Sequence, residues 1–324
     1  MTVFYLIGLV FFCWLLIKAT SIVTGSLERL SKLLHLGQFA ITSLLLAFAT
    51  SIPELVVGVT AALEGRQSLS LGVILGSNIA NLSLVVGAAA ILGGTLSVAG
   101  QWVKMDIFSV FLSGVLPLIL LMDGVLGRSD GLILLLVYVM YNYGVLKQKP
   151  ADLSRPAGRF KLTILDHSGL PTTKTDKLFA WLFFGLALLI FSADMIVKIA
   201  VSLAQNLNAP ILLIGMFLIA VGATLPELSI EARAIRQHKA GMVLGNLTGS
   251  IVVNSTLILG IVSLIAPIRL GAGKESYLLA AAVFGLMFLL FWGFIRSKKK
   301  LERWEGLALI LVYFAFVLLE WGKT

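Results

Sequence analysis

Charged residues are scarce in this sequence, and two long stretches contain none. Only 13% of the 324 residues are Asp, Glu, Lys or Arg, whereas 59% are hydrophobic, and the mean hydropathy is +1.01. An ordinary soluble domain has about 25% charged residues. The stretches 67–103 and 241–268 lack all four charged types, and each is longer than the roughly 20 apolar residues that cross a bilayer. The composition therefore excludes an ordinary soluble protein and indicates an integral membrane protein.

Cysteine and histidine are also rare. The single cysteine, Cys13, excludes an internal disulfide framework. The three histidines lie near predicted membrane edges or in a polar linker, so an intramembrane enzyme is disfavoured and no cofactor is expected. The net charge of +9 is not accompanied by a basic and aromatic nucleic-acid module. The lipid bilayer, and not nucleic acid, is therefore the expected partner.

Alternating apolar runs and charged breaks predict an all-α polytopic membrane protein with ten transmembrane helices. The predicted spans lie near 3–22, 38–63, 69–94, 103–122, 129–147, 178–200, 209–231, 241–266, 275–295 and 303–321. A segment rich in proline and charge separates them, giving residues 1–147, a linker at 148–177, and residues 178–324.

The distribution of Lys and Arg predicts the orientation. Most of the 25 basic residues fall in the linker or in breaks on the same side of the predicted membrane. The positive-inside rule then makes the linker cytoplasmic and both termini extracellular. The compact length and the absence of a transit signal favour the plasma membrane of a prokaryote.

One segment of the sequence occurs twice. Residues 47–87 align without a gap to residues 220–260, at the offset that carries Glu54 onto Glu227. The same offset aligns Ser77 with Ser250 and Asn81 with Asn254. Five spans per half is an odd number, so the second copy is predicted to lie inverted relative to the first. Inverted repeats that meet near the midplane are a transporter architecture.

The repeated residues predict a cation site. A carboxylate near the bilayer centre costs about 2.5–3.5 kcal/mol on insertion scales, and two facing carboxylates repel unless a cation binds or one is protonated. Pro53 and Pro226 are expected to free backbone carbonyls about one turn earlier, near Ala49 and Gly222. Hydroxyl, amide, carbonyl and carboxylate oxygens are the ligands that Ca²⁺ and Na⁺ prefer. The predicted site residues are Ala47, Thr50, Ser51, Glu54, Ser77, Asn81, Ala220, Ala223, Thr224, Glu227, Ser250 and Asn254.

A further acidic residue, Glu231, lies one turn beyond Glu227, and its counterpart in the first copy is Gly58. The charged stretch 231–239 is interpreted as a cytoplasmic helix end. The alternative is that Glu231 lines the inner part of an ion pathway.

The paired segments resemble the alpha-1 and alpha-2 repeats of the cation/calcium antiporter superfamily, especially its prokaryotic Na⁺/Ca²⁺ exchangers. The signatures G-T-S-x-P-E and G-S-N-x-x-N correspond to residues 49–54 and 76–81, and to 223–227 and 249–254 in the second copy. The resemblance implies Ca²⁺ between Glu54 and Glu227, with the carbonyls of Thr50 and Ala223 as further ligands. It implies Na⁺ sites that involve Ala47, Ser77, Ala220 and Ser250. It also implies exchange of three Na⁺ for one Ca²⁺ by alternating access, in which the first and sixth spans slide against the rest.

Three residues depart from the family pattern. Ala49 replaces a glycine, Ala223 stands where threonine is common, and Asn254 stands where several members have aspartate. The site then has two carboxylates, which neutralise one Ca²⁺ but leave a net charge with three Na⁺. We therefore predict electrogenic exchange without a K⁺ requirement.

Two other functions stay open at this point. An H⁺/Ca²⁺ antiporter, or one for another divalent cation, is the main alternative. A cation channel is a more distant one, because channels usually build acidic rings by oligomerisation. A single chain supplies the whole predicted site, so a monomer suffices and a dimer is compatible with it.

Overall fold

The computed structural model describes residues 2–33, 47–93, 95–97, 102–147, 175–236, 240–298 and 300–322. Most of the predicted linker and the first part of the second predicted span lie outside these residues. The described chain is almost entirely helical, which agrees with the predicted all-α class.

The described residues of the first half form six α-helices of eight or more residues and two short strands, and residues 47–50 are also helical. In chain order they are α1 (Thr2–Leu33), α2 (Ile52–Leu63), α3 (Gln67–Ala80), α4 (Val86–Gly93), β1 (Thr95–Ser97), α5 (Trp102–Leu120), β2 (Val125–Leu126) and α6 (Arg128–Lys147). A π-helical segment, Asn81–Val85, joins α3 to α4.

The second half repeats much of this order. It contains α7 (Thr175–Leu207), α8 (Ile211–Leu213), α9 (Ala220–Arg236), α10 (Ala240–Val252), α11 (Leu259–Ile265), β3 (Ile268–Arg269), α12 (Lys274–Lys298), β4 (Lys300–Glu302) and α13 (Arg303–Trp321). π-Helical segments join α8 to α9 at Ile214–Ile219 and α10 to α11 at Val253–Ile258.

Each predicted span contains helix wherever the chain is described. By length and composition, six described segments can cross a membrane: Thr2–Val23, Gln67–Gly93, Ala180–Leu207, Val243–Ile265, Lys274–Ser297 and Arg303–Trp321. Three shorter apolar helical segments, Ile52–Leu63, Phe108–Asp123 and Ile211–Leu225, coincide with other predicted spans. Several helices run well past the predicted ends, because α1 continues to Leu33 and α7 to Leu207.

The two repeated prolines have different effects on their helices. Residues 47–50 are helical, Ser51 forms a turn, and α2 begins at Ile52, so Pro53 lies in the first turn of α2, next to the break between the two helical segments. Helix α9, in contrast, is continuous from Ala220 to Arg236 and contains Pro226 in its interior. The chain is therefore interrupted at the first proline only, and a carbonyl freed by Pro226 belongs to an unbroken helix.

The two halves are interlocked by crosswise contacts. Strand β1 pairs with β4, and β2 pairs with β3, so each two-stranded sheet joins one half of the chain to the other. Helix α4 packs on α13, and α6 packs on α11. The aligned residues Gly87 and Gly260 lie at these two crossings, where an added Cβ would meet Gly306 and Gly131 respectively. Both halves therefore build one body.

Helices α1 and α7 pack against each other and bury a cluster of small and branched side chains on one face of α2 and α3. Gly8 fits against Ile199, and Gly185 fits against Ile22 and Val23. Small residues at such crossings let membrane helices approach closely. The larger core lies on the other side of α3 and α10 and includes the aromatic residues of α12.

Candidate functional site

Two aligned glycines place the repeated helices against each other. A Cβ at Gly76 on α3 would collide with the carbonyl oxygen of Met216 and would lie 2.7 Å from Ala220 Cβ. A Cβ at Gly249 on α10 would collide with Ala47 Cβ. Each repeat thus brings its glycine to the alanine of the other repeat. Only glycine leaves room for this approach, which sets the distance between the two sets of site residues.

The two aligned glutamates are buried and have matching partners. Glu54 is 0% exposed and Glu227 is 1% exposed. Ser77 Oγ donates to Glu54 Oε1 at 3.2 Å, and Ser250 Oγ donates to Glu227 Oε1 at 2.6 Å. The Oε2 atom of each glutamate makes no hydrogen bond with the described residues. The two carboxylates are also close enough to interact electrostatically. Both carboxylates therefore keep one buried oxygen for another ligand.

Thr50 links the first repeat to the second. Its Oγ1 donates to the Ala47 carbonyl at 3.1 Å and lies 3.2 Å from Asn246 Oδ1 and 3.3 Å from Ser250 Oγ. The aligned residue in the second repeat is Ala223, which has no hydroxyl and cannot form the equivalent contacts. The site is therefore pseudo-symmetric in its carboxylates and their serine partners but not at the position of Thr50 and Ala223.

A group of amides crosses between the repeats beside the carboxylates. Asn78 Nδ2 donates to Ser255 Oγ at 2.8 Å, and Asn254 Nδ2 donates to Asn78 Oδ1 at 3.2 Å. Asn254 Oδ1 and both amide atoms of Asn81 make no hydrogen bond with the described residues, although Asn81 lies beside Glu227. The π-helical segments begin at or next to these asparagines, and such segments often occur at functional sites.

The remaining predicted residues are buried in the same region. Ser51 Oγ has no hydrogen-bond partner among the described residues, and Thr224 Oγ1 donates to the Val221 carbonyl at 3.1 Å. Ala47, Ala220 and Ala223 are buried and supply only backbone oxygen. All twelve predicted site residues are thus buried. The described residues contain no group of three or more His, Cys, Asp or Glu suited to a metal, so the local oxygen chemistry is that of hydroxyls, amides and two carboxylates.

The sequence prediction missed three polar residues that the structure brings to the site: Asn78, Asn246 and Ser255. Asn78 lies within the G-S-N-x-x-N signature, so its position carried a signal. Asn246 lies one turn before Ser250, at a position aligned with Val73, and Ser255 aligns with Leu82. The repeat comparison gave no reason to choose either. Glu231 is 1% exposed, so it is not part of a solvated helix end.

Comparison with known proteins decides the family. The profile of the family described as "Sodium/calcium exchanger protein" matches residues 4–147 and 177–322, nearly the whole chain. The chain belongs to this family. The family consists of membrane-embedded transporters, so the protein is an exchanger of the cation/calcium antiporter superfamily, as the repeated signatures indicated.

Relatives of this exchanger align over almost its full length. It is 33% identical to the putative antiporter CaxA of Alkalimonas amylolytica over 321 residues, which cover 97% of each chain. It is 28% identical to the sodium/calcium exchanger MaX1 of Methanosarcina acetivorans, with 96% of each chain covered.

Solved structures share the fold of the exchanger. The sodium-calcium exchanger NCX_Mj superposes with a TM-score of 0.64 at 24% identity, covering 98% of this chain and 99% of that one. The H⁺/Ca²⁺ exchanger CAX superposes with a TM-score of 0.75 at 17% identity, covering 97% and 82%. One of these structures is described as a sodium-calcium exchanger and the other as an H⁺/Ca²⁺ exchanger, so the shared fold does not distinguish Na⁺ from H⁺ as the coupling ion.

Proposed function

We propose that this exchanger moves Ca²⁺ across the membrane in exchange for Na⁺, by alternating access to one central site. The observation that carries the proposal is the aligned pair Glu54 and Glu227. Each carboxylate is buried, receives a hydrogen bond from an aligned serine, and keeps one oxygen without a hydrogen bond from the described residues. Two such carboxylates near each other favour a bound cation that offsets their repulsion.

The charge of the site supports a divalent cargo. Two ionised glutamates neutralise one Ca²⁺, and the amide and hydroxyl oxygens around them are the hard ligands that Ca²⁺ accepts. The free Oδ1 of Asn254 and the amide of Asn81 extend this oxygen set. The empty site would carry two negative charges in a low dielectric, which opposes its passage across the membrane without an ion. This penalty would couple the movement of the two ions.

The charge of the site also bears on whether Na⁺ or K⁺ takes part in the exchange. We infer that Na⁺ occupies positions near Ala47, Ser77, Ala220 and Ser250 when Ca²⁺ is absent. Asn254 contributes an amide where a third carboxylate would add charge for K⁺. The exchange is therefore expected to be independent of K⁺.

The arrangement in the membrane is part of the proposal. Ten transmembrane helices form two inverted five-helix repeats, residues 1–147 and 178–324, within a plasma membrane. The basic linker between them is cytoplasmic and both termini are extracellular. The crosswise pairs β1–β4 and β2–β3 support the repeat, because the offset between the two copies carries β1 onto β3 and β2 next to β4, so one pair is the counterpart of the other.

The first test is ⁴⁵Ca²⁺ uptake into proteoliposomes that contain Na⁺ and are diluted into Na⁺-free buffer. We expect uptake that requires internal Na⁺ and is lost in Glu54→Gln and in Glu227→Gln, because either change leaves one negative charge for a divalent ion. Liposomes with internal K⁺ serve as the control for a nonspecific cation gradient. No uptake under any gradient would refute calcium transport.

Proton coupling is the second candidate, and the fold similarity to the H⁺/Ca²⁺ exchanger CAX favours considering it. An imposed pH gradient without Na⁺ separates the two functions in the same liposomes. Uptake driven by the pH gradient alone would assign the exchanger to the proton-coupled class.

A further inference from the structure

The second repeat carries a third buried carboxylate that the first repeat lacks. Glu231 lies on α9 four residues beyond Glu227, and only 1% of its surface is exposed. One helical turn rises about 5.4 Å, so Glu231 lies in a separate layer, displaced toward the 237–239 connection between α9 and α10. The aligned residue Gly58 instead faces the apolar side chains of Ile258 and Val262.

Asn246 supplies the second polar group of this layer. It lies on α10 one turn before Ser250 and is 2% exposed. Its Nδ2 donates to Glu231 Oε1 at 3.5 Å, and its Oδ1 lies 3.2 Å from Thr50 Oγ1. The aligned residue in the first repeat is the buried Val73. The pair of Glu231 and Asn246, called here the Glu231 layer, is thus polar in one repeat only.

The carboxylate of Glu231 is poorly satisfied by its described surroundings. Oε1 receives one long hydrogen bond, and Oε2 receives none from the described residues. Buried polar atoms are usually hydrogen-bonded, and an uncompensated buried charge is costly. A carboxylate with a purely structural role would be expected to have its oxygens occupied. The free Oε2 instead provides a ligand for a cation.

A chain of short contacts connects the Glu231 layer to the central site. Thr50 Oγ1 lies between Asn246 Oδ1 and Ser250 Oγ, and Ser250 donates to Glu227. A charge held at Glu231 therefore lies next to the groups that surround Glu227. The carboxylates of Glu227 and Glu231 interact electrostatically, so a cation at one of them lowers the repulsion between the two.

We propose that Glu231 and Asn246 bind one Na⁺ beside the central site, on the side of the 237–239 connection. A single carboxylate balances one monovalent charge, whereas Ca²⁺ would leave a net positive charge in a low dielectric. Carboxylate and amide oxygens suit a hard cation of this kind. The inference rests on the proposed function and extends it. Because the first repeat has Gly58 and Val73 instead, this Na⁺ is available from one face only, and the two faces of the exchanger differ in their Na⁺ affinity.

The test compares membrane vesicles of both orientations that contain wild type, Glu231→Gln or Glu320→Gln. Glu320, an equally buried carboxylate on α13, is the matched control. The half-saturating Na⁺ concentration for ⁴⁵Ca²⁺ exchange is measured at each face, together with Na⁺-free exchange of Ca²⁺ for Ca²⁺. We expect Glu231→Gln to raise the half-saturating Na⁺ concentration at the 237–239 face about tenfold, or about 1.4 kcal/mol. The opposite face and the Glu320→Gln variant should behave as wild type, and Ca²⁺ self-exchange should change less than the Na⁺ dependence at the 237–239 face.

An unchanged Na⁺ dependence of Glu231→Gln at the 237–239 face would refute Na⁺ binding by the Glu231 layer but would not refute Na⁺/Ca²⁺ exchange. Equal changes at both faces and in Ca²⁺ self-exchange would also overturn it, because they indicate general damage. A second measurement tests Na⁺ binding even if Na⁺ does not drive Ca²⁺ uptake. It is the Na⁺-dependent rise in melting temperature of the purified full chain. A weaker Na⁺ response in Glu231→Gln, but not in Glu320→Gln, would support the layer even then, and equal responses would refute it.

Discussion

Individual side chains in this site are oriented by partners that lie in the other repeat. Asn254 is an example, because its Nδ2 donates to Asn78 Oδ1, and this bond leaves Oδ1 of Asn254 as the free atom. Asn78 is itself held by its own bond to Ser255. Asn254 therefore presents an oxygen in a fixed direction, although it carries no charge.

We predict that Asn78→Ala weakens Ca²⁺ binding without abolishing transport. The substitution leaves Asn254 free to rotate, and the loss of a hydrogen bond between two neutral groups costs about 0.5–1.5 kcal/mol. The half-saturating Ca²⁺ concentration in Ca²⁺ self-exchange should rise accordingly. Ser83→Ala is the control, since Ser83 Oγ donates only to the Ile79 carbonyl of its own helix. Equal Ca²⁺ affinities in both variants would contradict an orienting role for Asn78.

At the scale of helices, the question is whether α1 moves against the helices that carry the site. The family resemblance implies that the first and sixth spans, α1 and α7, slide. The structure packs these helices together and places Cys13 of α1 against Gly222 of α9. A Cβ at Gly222 would lie 3.3 Å from Cys13 Cβ. This separation is near the roughly 3.5–4.5 Å of a disulfide, so the native cysteine offers a way to fix α1 to α9.

We expect Gly222→Cys to be active under reducing conditions and to lose Ca²⁺ uptake when it is oxidised. The crosslink would hold α1 against α9 and so prevent the sliding step, and reduction should restore transport. The variant Gly222→Cys combined with Cys13→Ala is the control, and oxidation should not affect it. Full transport in a protein shown by mass to be crosslinked would rule out movement of α1 relative to α9.

At the scale of the whole molecule, charge balance determines the response to voltage. In the exchange proposed for this protein, the outward movement of three Na⁺ for one Ca²⁺ would carry one net positive charge, and about 2.3 kcal/mol would act on that charge per 100 mV. Both repeats contribute one central carboxylate each, so the full site exists only when the halves are joined. The crosswise strand pairs and the contacts of α4 with α13 and α6 with α11 hold that arrangement.

We predict that a lumen-positive potential accelerates Na⁺-driven Ca²⁺ uptake and that a lumen-negative potential slows it. Uptake would be measured in proteoliposomes in which the potential is set with an ionophore at fixed Na⁺ and Ca²⁺ gradients. Voltage-independent uptake would instead indicate an electroneutral ratio of two Na⁺ per Ca²⁺. Liposomes without ionophore provide the reference rate.

The sequence alone determined the membrane class, the helical character and the repeated carboxylates of this protein. These properties are local or periodic: hydropathy is summed along a segment, and a fixed offset aligns one copy with the other. The same reasoning predicted the oxygen ligands of the candidate site, because residue types limit which cations can bind.

Only the tertiary structure decided which oxygens are free and which polar groups meet. Thr50 contacts Asn246, and Asn78 contacts Ser255, across about half the chain, and nothing in the local sequence predicts either pair. The charged neighbours of Glu231 in the sequence suggested a solvated helix end. Its burial could not be predicted from them, because it depends on how α9 and α10 pack. Hydrogen bonds have a reach of a few ångströms, and therefore the packing of distant helices, not the order of residues, determines the final geometry of the site.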